Sequence, residues 1–127
     1  MAVLLYDDLM TSDALEDISL KEFLLWLLRR RRRFRITGNS MMPLLQPGDE
    51  VLLNPRAYRL APPQPGDIVV AHHPYRRDLQ VVKRVTQNLE DGRYFLEGEN
   101  PAESSDSRSF GPVRPEQILG QITSRFG

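Results

Sequence analysis

A chain of 127 residues with 40% hydrophobic side chains holds one modest core and leaves no room for a second large domain. Seventeen basic and seventeen acidic residues cancel, so no net charge favours nucleic acid, and with no cysteine there is neither a disulfide framework nor a thiolate metal site. The longest apolar run, Phe23–Leu28, has six residues where a membrane-spanning helix needs about 20. Its positive charges follow the run, whereas a secretory signal peptide carries them ahead of it. The expectation is a protein without a transmembrane segment or signal peptide, cytoplasmic or peripherally membrane-associated.

Residues 1–18 are acidic and weakly patterned, the composition of a loosely ordered arm. Ser19-Leu20-Lys21-Glu22 has the spacing of a capping box, which predicts a helix from Leu20 to about Arg31. Leu20, Phe23, Leu24 and Leu27 are the face expected to pack on the domain, leaving Leu25, Trp26 and Leu28 for another surface. The segment 19–33 is thus an amphipathic helix ending in an arginine run, Arg29–Arg33, with Arg35 just beyond.

From Phe34 to the end, residues 34–127, short apolar runs alternate with turns. Predicted strands are Phe34–Thr37, Glu50–Asn54, Asp67–Ala71, Gln80–Thr86, Arg93–Glu97 and Ile118–Arg125. Six of the ten prolines fall between Pro43 and Pro65, which excludes a helix there and predicts a loop over the sheet. Gly48-Asp49 and Gly66-Asp67 each mark a tight turn before a strand. No βαβ unit or internal repeat is present. The fold class is therefore mostly β: a small antiparallel domain preceded by one short N-terminal helix.

Fifteen of the seventeen basic residues are arginine, and one of the two lysines, Lys83, lies inside the apolar strand Gln80–Thr86. Strand alternation puts Lys83 on one face with Val81 and Val85, and Arg84 on the other. Arginine keeps its proton in a protein; a buried lysine can lose it and act as a base. A serine that such an amine could activate lies in Gly38-Asn39-Ser40-Met41-Met42-Pro43. These two segments, with Gly48-Asp49-Glu50-Val51, Gly66-Asp67-Ile68-Val69-Val70 and the run Gly98-Glu99-Asn100-Pro101-Ala102-Glu103-Ser104-Ser105-Asp106-Ser107-Arg108, occur in one order. Together they resemble the signal peptidase I family of serine–lysine proteases over residues 36–122.

That resemblance implies a signal-peptidase-type catalytic core with Ser40 as nucleophile and Lys83 as general base. It implies that Ser104 orients the lysine and that Asp106 and Arg108 form a bracing pair. Gly38, Met41 and Met42, around the nucleophile, are the candidate substrate-binding residues. The substrate is expected as an extended strand, and no cofactor or metal is implied. Oxyanion stabilisation falls partly to the backbone N–H of Ser40; the position two residues earlier, a hydroxyl in some members, is Gly38 here. Glu99 stands where the family usually has aspartate. Only nine residues separate Val85 from Phe95, which fits a minimal core without the large insertion of some members.

The expected partner is a precursor polypeptide with an N-terminal leader. Length and the missing anchor resemble a short subgroup proposed to mature nickel-type superoxide dismutase, where any nickel belongs to the substrate. The alternative is a general signal-peptidase-like enzyme attached peripherally to a membrane through Phe23–Arg35. A self-cleaving SOS-type regulator needs an upstream DNA-binding domain and an Ala-Gly or Cys-Gly bond, and neither dipeptide occurs. A non-catalytic peptide-binding module has no need of Ser40, Lys83, Ser104 and Asp106 together. His72-His73 reads as a solvated strand end rather than a metal site, with no carboxylate at ligand spacing. The arginine run reads as an anchor on anionic lipid, a dock for an acidic partner, or a solvated face, with no nucleic acid implied.

Overall fold

The computed structural model describes residues 15–126. Six strands form one sheet: β1 (Arg32–Arg35), β2 (Glu50–Asn54), β3 (Ile68–His72), β4 (Gln80–Asn88), β5 (Tyr94–Glu97) and β6 (Ile118–Phe126). Their order is β1-β2-β6-β3-β4-β5, with every neighbouring pair antiparallel. Helix α1 (Leu20–Leu27) precedes the sheet, and the four-residue α2 (Ser107–Phe110) follows β5. The mostly β, antiparallel expectation holds, and strand boundaries move by one or two residues.

Alternating side chains on the strands feed two apolar clusters. Ile36, Met41, Leu45, Val51, Leu53, Ile68, Val70 and Ile122 form one, directly beneath the Ser40 loop. The other gathers Val69, Ala71, Val85, Leu96, Phe110 and Val113. Because β3 alternates, Val70 enters the first cluster while Val69 and Ala71 enter the second, which joins the two halves through one strand. The proline-rich loop contains no helix; its Tyr58 packs on the second cluster and donates to Asp67 Oδ2 at 2.8 Å.

The N-terminal region differs from expectation in three ways. First, α1 stops at Leu27 rather than near Arg31. Arg29 adopts a left-handed backbone with φ 62°. Its N–H reaches the Trp26 carbonyl at 2.9 Å, and that of Arg30 reaches Leu25 at 2.7 Å. This pair of bonds is a Schellman closure, built on arginine where glycine is usual. The chain therefore leaves the helix extended, and β1 begins at Arg32, two residues ahead of the predicted Phe34.

Second, the helix presents the opposite face. Leu20, Phe23, Leu24 and Leu27, expected to pack inward, are exposed, while Leu25 and Trp26 are half-buried. Polar and aromatic contacts set the rotation. Glu22 accepts from the hydroxyls of Thr123 and Ser124 and from Arg31, and Trp26 meets the Phe126 ring edge-on at 5.2 Å. Arg33 lies over both rings, 4.2 Å from the Phe126 centroid. Burial alone would raise the Glu22 pKa, but the Thr123 and Arg31 bonds hold it below its ordinary value.

Third, the end of the acidic arm is ordered. The Ile18 N–H donates to the Arg125 carbonyl at 2.8 Å, and the Arg125 N–H donates to Glu16 at 3.0 Å. Leu15 packs against the first apolar cluster. The rest of the predicted arm, residues 1–14, lies outside the described residues.

A non-glycine residue in the left-handed region costs about 1–2 kcal/mol. Arg29→Gly is therefore expected to raise the urea midpoint, with emission of Trp26, the sole tryptophan, following the α1 region. A lowered midpoint would show that the Arg29 side chain contributes more than its backbone strain costs.

Candidate active site

Ser40 sits on the turn that follows β1, and the sequence builds that turn from below. Ile36 and Met41 are buried at 4% and 1% exposure, so the loop is pinned to the first cluster on both sides of Ser40. Gly38, with φ 78°, supplies the left-handed bend that lets the chain reverse. Backbone bonds from Met42 to Asn39 at 3.1 Å and from Leu45 to Met41 at 2.9 Å fix the turn.

The run after β5 clamps this loop from the other side. The Asn100 N–H donates to the Ser40 carbonyl at 2.8 Å, and its side-chain amide donates to the Asn39 carbonyl at 3.2 Å. Gly98 is pressed against both: a Cβ there would lie 2.3 Å from Ser104 Oγ and 2.6 Å from the Ser40 carbonyl. Glu99 accepts from Arg84 Nε at 2.7 Å, and Arg84 also donates to the Gly66 carbonyl at 2.7 Å. The longer acid at position 99 is thus an ion-pair partner of the residue next to Lys83.

Lys83 lies in β4 opposite Val69 and is only 4% exposed. Its Nζ donates to Ser104 Oγ at 3.2 Å, and Ser104 Oγ donates to Asp106 Oδ2 at 2.7 Å. Asp106, 1% exposed, also accepts from the Gly98 N–H at 2.9 Å and from Arg108 Nε at 3.0 Å. Burial would raise the Asp106 pKa, yet Arg108, Ser104 and Gly98 together hold it well below the usual carboxylate range. Burial also pushes the Lys83 amine down; the Asp106 charge opposes that shift and the Arg108 charge adds to it.

Ser40 and Lys83 face one cleft of about 430 Å³, with Gly38 and Met41 also on its walls. Met42 is half-buried and does not line it. Lys83 bonds to Ser104 and not to Ser40. Such contacts are commonly long before substrate binds. Segment 34–41 forms one wall and segment 79–83 the other. Among the described residues both walls end in open backbone: β1 pairs only with β2, and β4 pairs with β5 only from Arg84 onward. An extended peptide can therefore add as a strand between them.

The structure thus gathers Ser40, Lys83, Ser104, Asp106 and Arg108. It also gives positions to Gly98, Asn100, Glu99 and Arg84, to which the sequence reading assigned no role. Their motif membership was visible, but the register that sets Arg84 opposite Glu97, beside Glu99, was not. His73 is a turn residue whose Nδ1 accepts from the N–H groups of Tyr75 and Arg76, both at 3.1 Å, and whose ring lies 4.6 Å from that of Phe110. Among the described residues no His, Cys, Asp and Glu cluster is arranged to hold a metal ion.

Sequence comparison agrees with this geometry. The family of signal peptidase, peptidase S26, matches residues 23–87 and 85–126, and the chain belongs to that family. A probable signal peptidase I-1 of Synechocystis is 27% identical across 72% of this chain and 68% of its own length. Mitochondrial inner membrane protease subunit 2 of Mus musculus is 35% identical across 62% of this chain and 57% of its own. Signal peptidase I of Bacillus caldolyticus is 27% identical across 72% and 76%. The match thus covers between just over half and three quarters of these relatives. No helix among the described residues is long and apolar enough to cross a membrane.

Gly98→Ala forces Ser104 and the Ser40 carbonyl apart. Misplacement of about 1 Å costs a catalytic site on the order of 10²-fold. Any peptide cleavage by the protein is expected to fall by that factor while the circular dichroism spectrum is retained. Full activity in this variant would show that the close packing at Gly98 does not position the two serines.

Proposed function

We propose that the protein is a serine endopeptidase that removes the N-terminal leader of a precursor polypeptide, with Ser40 as nucleophile and Lys83 as general base. The observation that carries this reading is a buried lysine amine bonded to a neutral hydroxyl, in the same cleft as a serine. Lys83 takes the Ser40 proton as Oγ bonds to the scissile carbonyl carbon. The resulting ammonium then protonates the leaving amine as the C–N bond breaks. Water repeats the cycle on the acyl-enzyme: Lys83 accepts its proton, and the ester bond to Ser40 breaks with the proton returned to Oγ.

The remaining groups have supporting parts. Ser104 holds the amine in place, and Asp106 with Arg108 fixes Ser104. The Ser40 N–H has no acceptor among the described residues, which suits an oxyanion donor. Gly38 and Met41 border the peptide channel. The preferred substrate is the leader of nickel-type superoxide dismutase. A second reading, a general leader peptidase attached to a membrane through Phe23–Arg35, is favoured by the exposed apolar face of α1.

The pH dependence follows from the direction of the Lys83 shift. Only the neutral amine accepts a proton, so kcat/KM is expected to rise with pH and level off below the ordinary lysine pKa of about 10.4. The unfolded chain binds this proton more tightly. The Lys83 contribution to stability therefore also rises with pH between the folded and unfolded values. Lys83→Arg should lower kcat/KM by about 10²–10⁴-fold without unfolding the domain. Retained cleavage would remove Lys83 from the mechanism.

Substrate is tested by mass spectrometry of a nickel superoxide dismutase precursor incubated with the protein, with Ser40→Ala as control. A new N-terminus at the nickel-binding segment, absent with the variant, supports the preferred reading. An intact precursor beside a cleaved Ala-x-Ala signal peptide moves the assignment to the second.

A further inference from the structure

The cleft beside Ser40 has three charged side chains on its walls, Arg35, Lys83 and Glu103. Two of them are already balanced. Arg35 pairs with Glu50 at 3.0 Å, and burial biases the Lys83 amine toward its neutral form. Glu103 differs from both: it is exposed and has no cationic partner among the described residues. Its Oε1 accepts from the Asn39 side-chain amide at 3.0 Å, while its other oxygen has no donor among the described residues. Asn39 adjoins Ser40, and the residue after Glu103 is Ser104, whose hydroxyl accepts from Lys83. The carboxylate therefore belongs to the end of the cleft where Ser40 and Lys83 lie. Its backbone is fixed as well. Pro101–Glu103 is a single 3-10 turn in which the Glu103 N–H donates to the Asn100 carbonyl at 3.0 Å, and Asn100 is the residue that clamps the Ser40 loop.

We propose that Glu103 is a specificity-determining residue that recognises a basic side chain, lysine or arginine, beside the scissile bond of the substrate. The proposal rests on the endopeptidase reading and deepens it by naming a charge that the substrate carries. A carboxylate accepts hydrogen bonds and donates none, so it takes an N–H group and rejects another carboxylate. A bond from an ionised donor is roughly twice as strong as one from a neutral donor, which favours lysine or arginine over glutamine. Ile36, Met41, Val70 and Val81 make much of the remaining wall apolar, and no other unbalanced charge lies on it. A peptide that settles into the cleft strips water from the carboxylate, and a cation offsets that loss where an apolar side chain does not. Because Asn39 already holds one oxygen, less side-chain freedom is lost when the substrate binds.

The test measures binding of unstructured peptides centred on Ala-x-Ala, with lysine, glutamine or glutamate placed in turn at each position on either side of the second alanine. The full chain carries Ser40→Ala, so that binding is read without cleavage, and fluorescence anisotropy gives the dissociation constants. At the position that Glu103 reads, lysine is expected to bind on the order of fivefold more tightly than glutamine, with glutamate weakest. Glu103→Gln should remove the difference between lysine and glutamine, Glu103→Lys should reverse the order in favour of glutamate, and high salt should shrink it. Equal binding of the three residues at every position, no binding of any peptide, or a lysine preference that survives Glu103→Gln overturns the proposal. Cleavage of the same peptides by protein with Ser40 intact is scored separately. A Glu103-dependent preference in binding without cleavage leaves recognition of the basic side chain standing and removes the endopeptidase reading.

Discussion

The Asp106 carboxylate is the point to which the site is tied. Nearly closed to solvent, it gathers the Ser104 hydroxyl, the Gly98 N–H and the Arg108 guanidinium. A buried carboxylate left unpaired would be strongly unfavourable, so the three donors are held to it as firmly as it is held to them. Each donor leads to a different part of the protein. Ser104 passes on to Lys83 in β4, Gly98 follows β5 and packs on the Ser40 carbonyl, and Arg108 lies in the first turn of α2. One ionised group thereby fixes three chain segments relative to the Ser40 loop.

That arrangement also explains how a lysine beside a carboxylate can have a lowered pKa. Asp106 is close enough to favour the ammonium, yet Arg108 already shares its charge and adds its own repulsion, and burial dominates. Ser104 stands between the lysine and the acid, so the amine meets a hydroxyl rather than an oxygen anion. The next residue is treated in the opposite way. Arg84 points to the other face and pairs with Glu99, which keeps a permanent cation neutralised on the residue next to an amine biased toward neutrality.

Much of the sheet was legible because its signals are local. The run Glu50–Asn54 is apolar and bounded by turn residues, and β2 has those limits. The serine, lysine and acid of the candidate site, which the structure brings to one region, were legible through their motif blocks. The face of α1 was not, because its apolar residues cover more than one side and the choice fell to contacts far along the chain. Glu22 illustrates the point. The Ser19 hydroxyl accepts from the Glu22 N–H at 3.2 Å, as a capping box requires, but the Glu22 carboxylate turns away to Thr123, 101 residues distant. The helix end was hidden for a similar reason, since nothing in five consecutive arginines marks which one takes a left-handed backbone.

The two unpaired strand edges that wall the cleft carry a consequence for selectivity. Exposed edges normally invite sheet-to-sheet aggregation. Here segments 34–41 and 79–83 border a single cleft, so one strand running between them would engage hydrogen-bonding groups on both sides. A segment already folded into a helix or hairpin keeps its backbone groups engaged and gains little by entering. An unstructured stretch of chain gains a bond on either side. On the proposed reading, the cleft discriminates on the state of the backbone before any side chain is read, and a precursor whose globular part is complete presents nothing to it except its unfolded end.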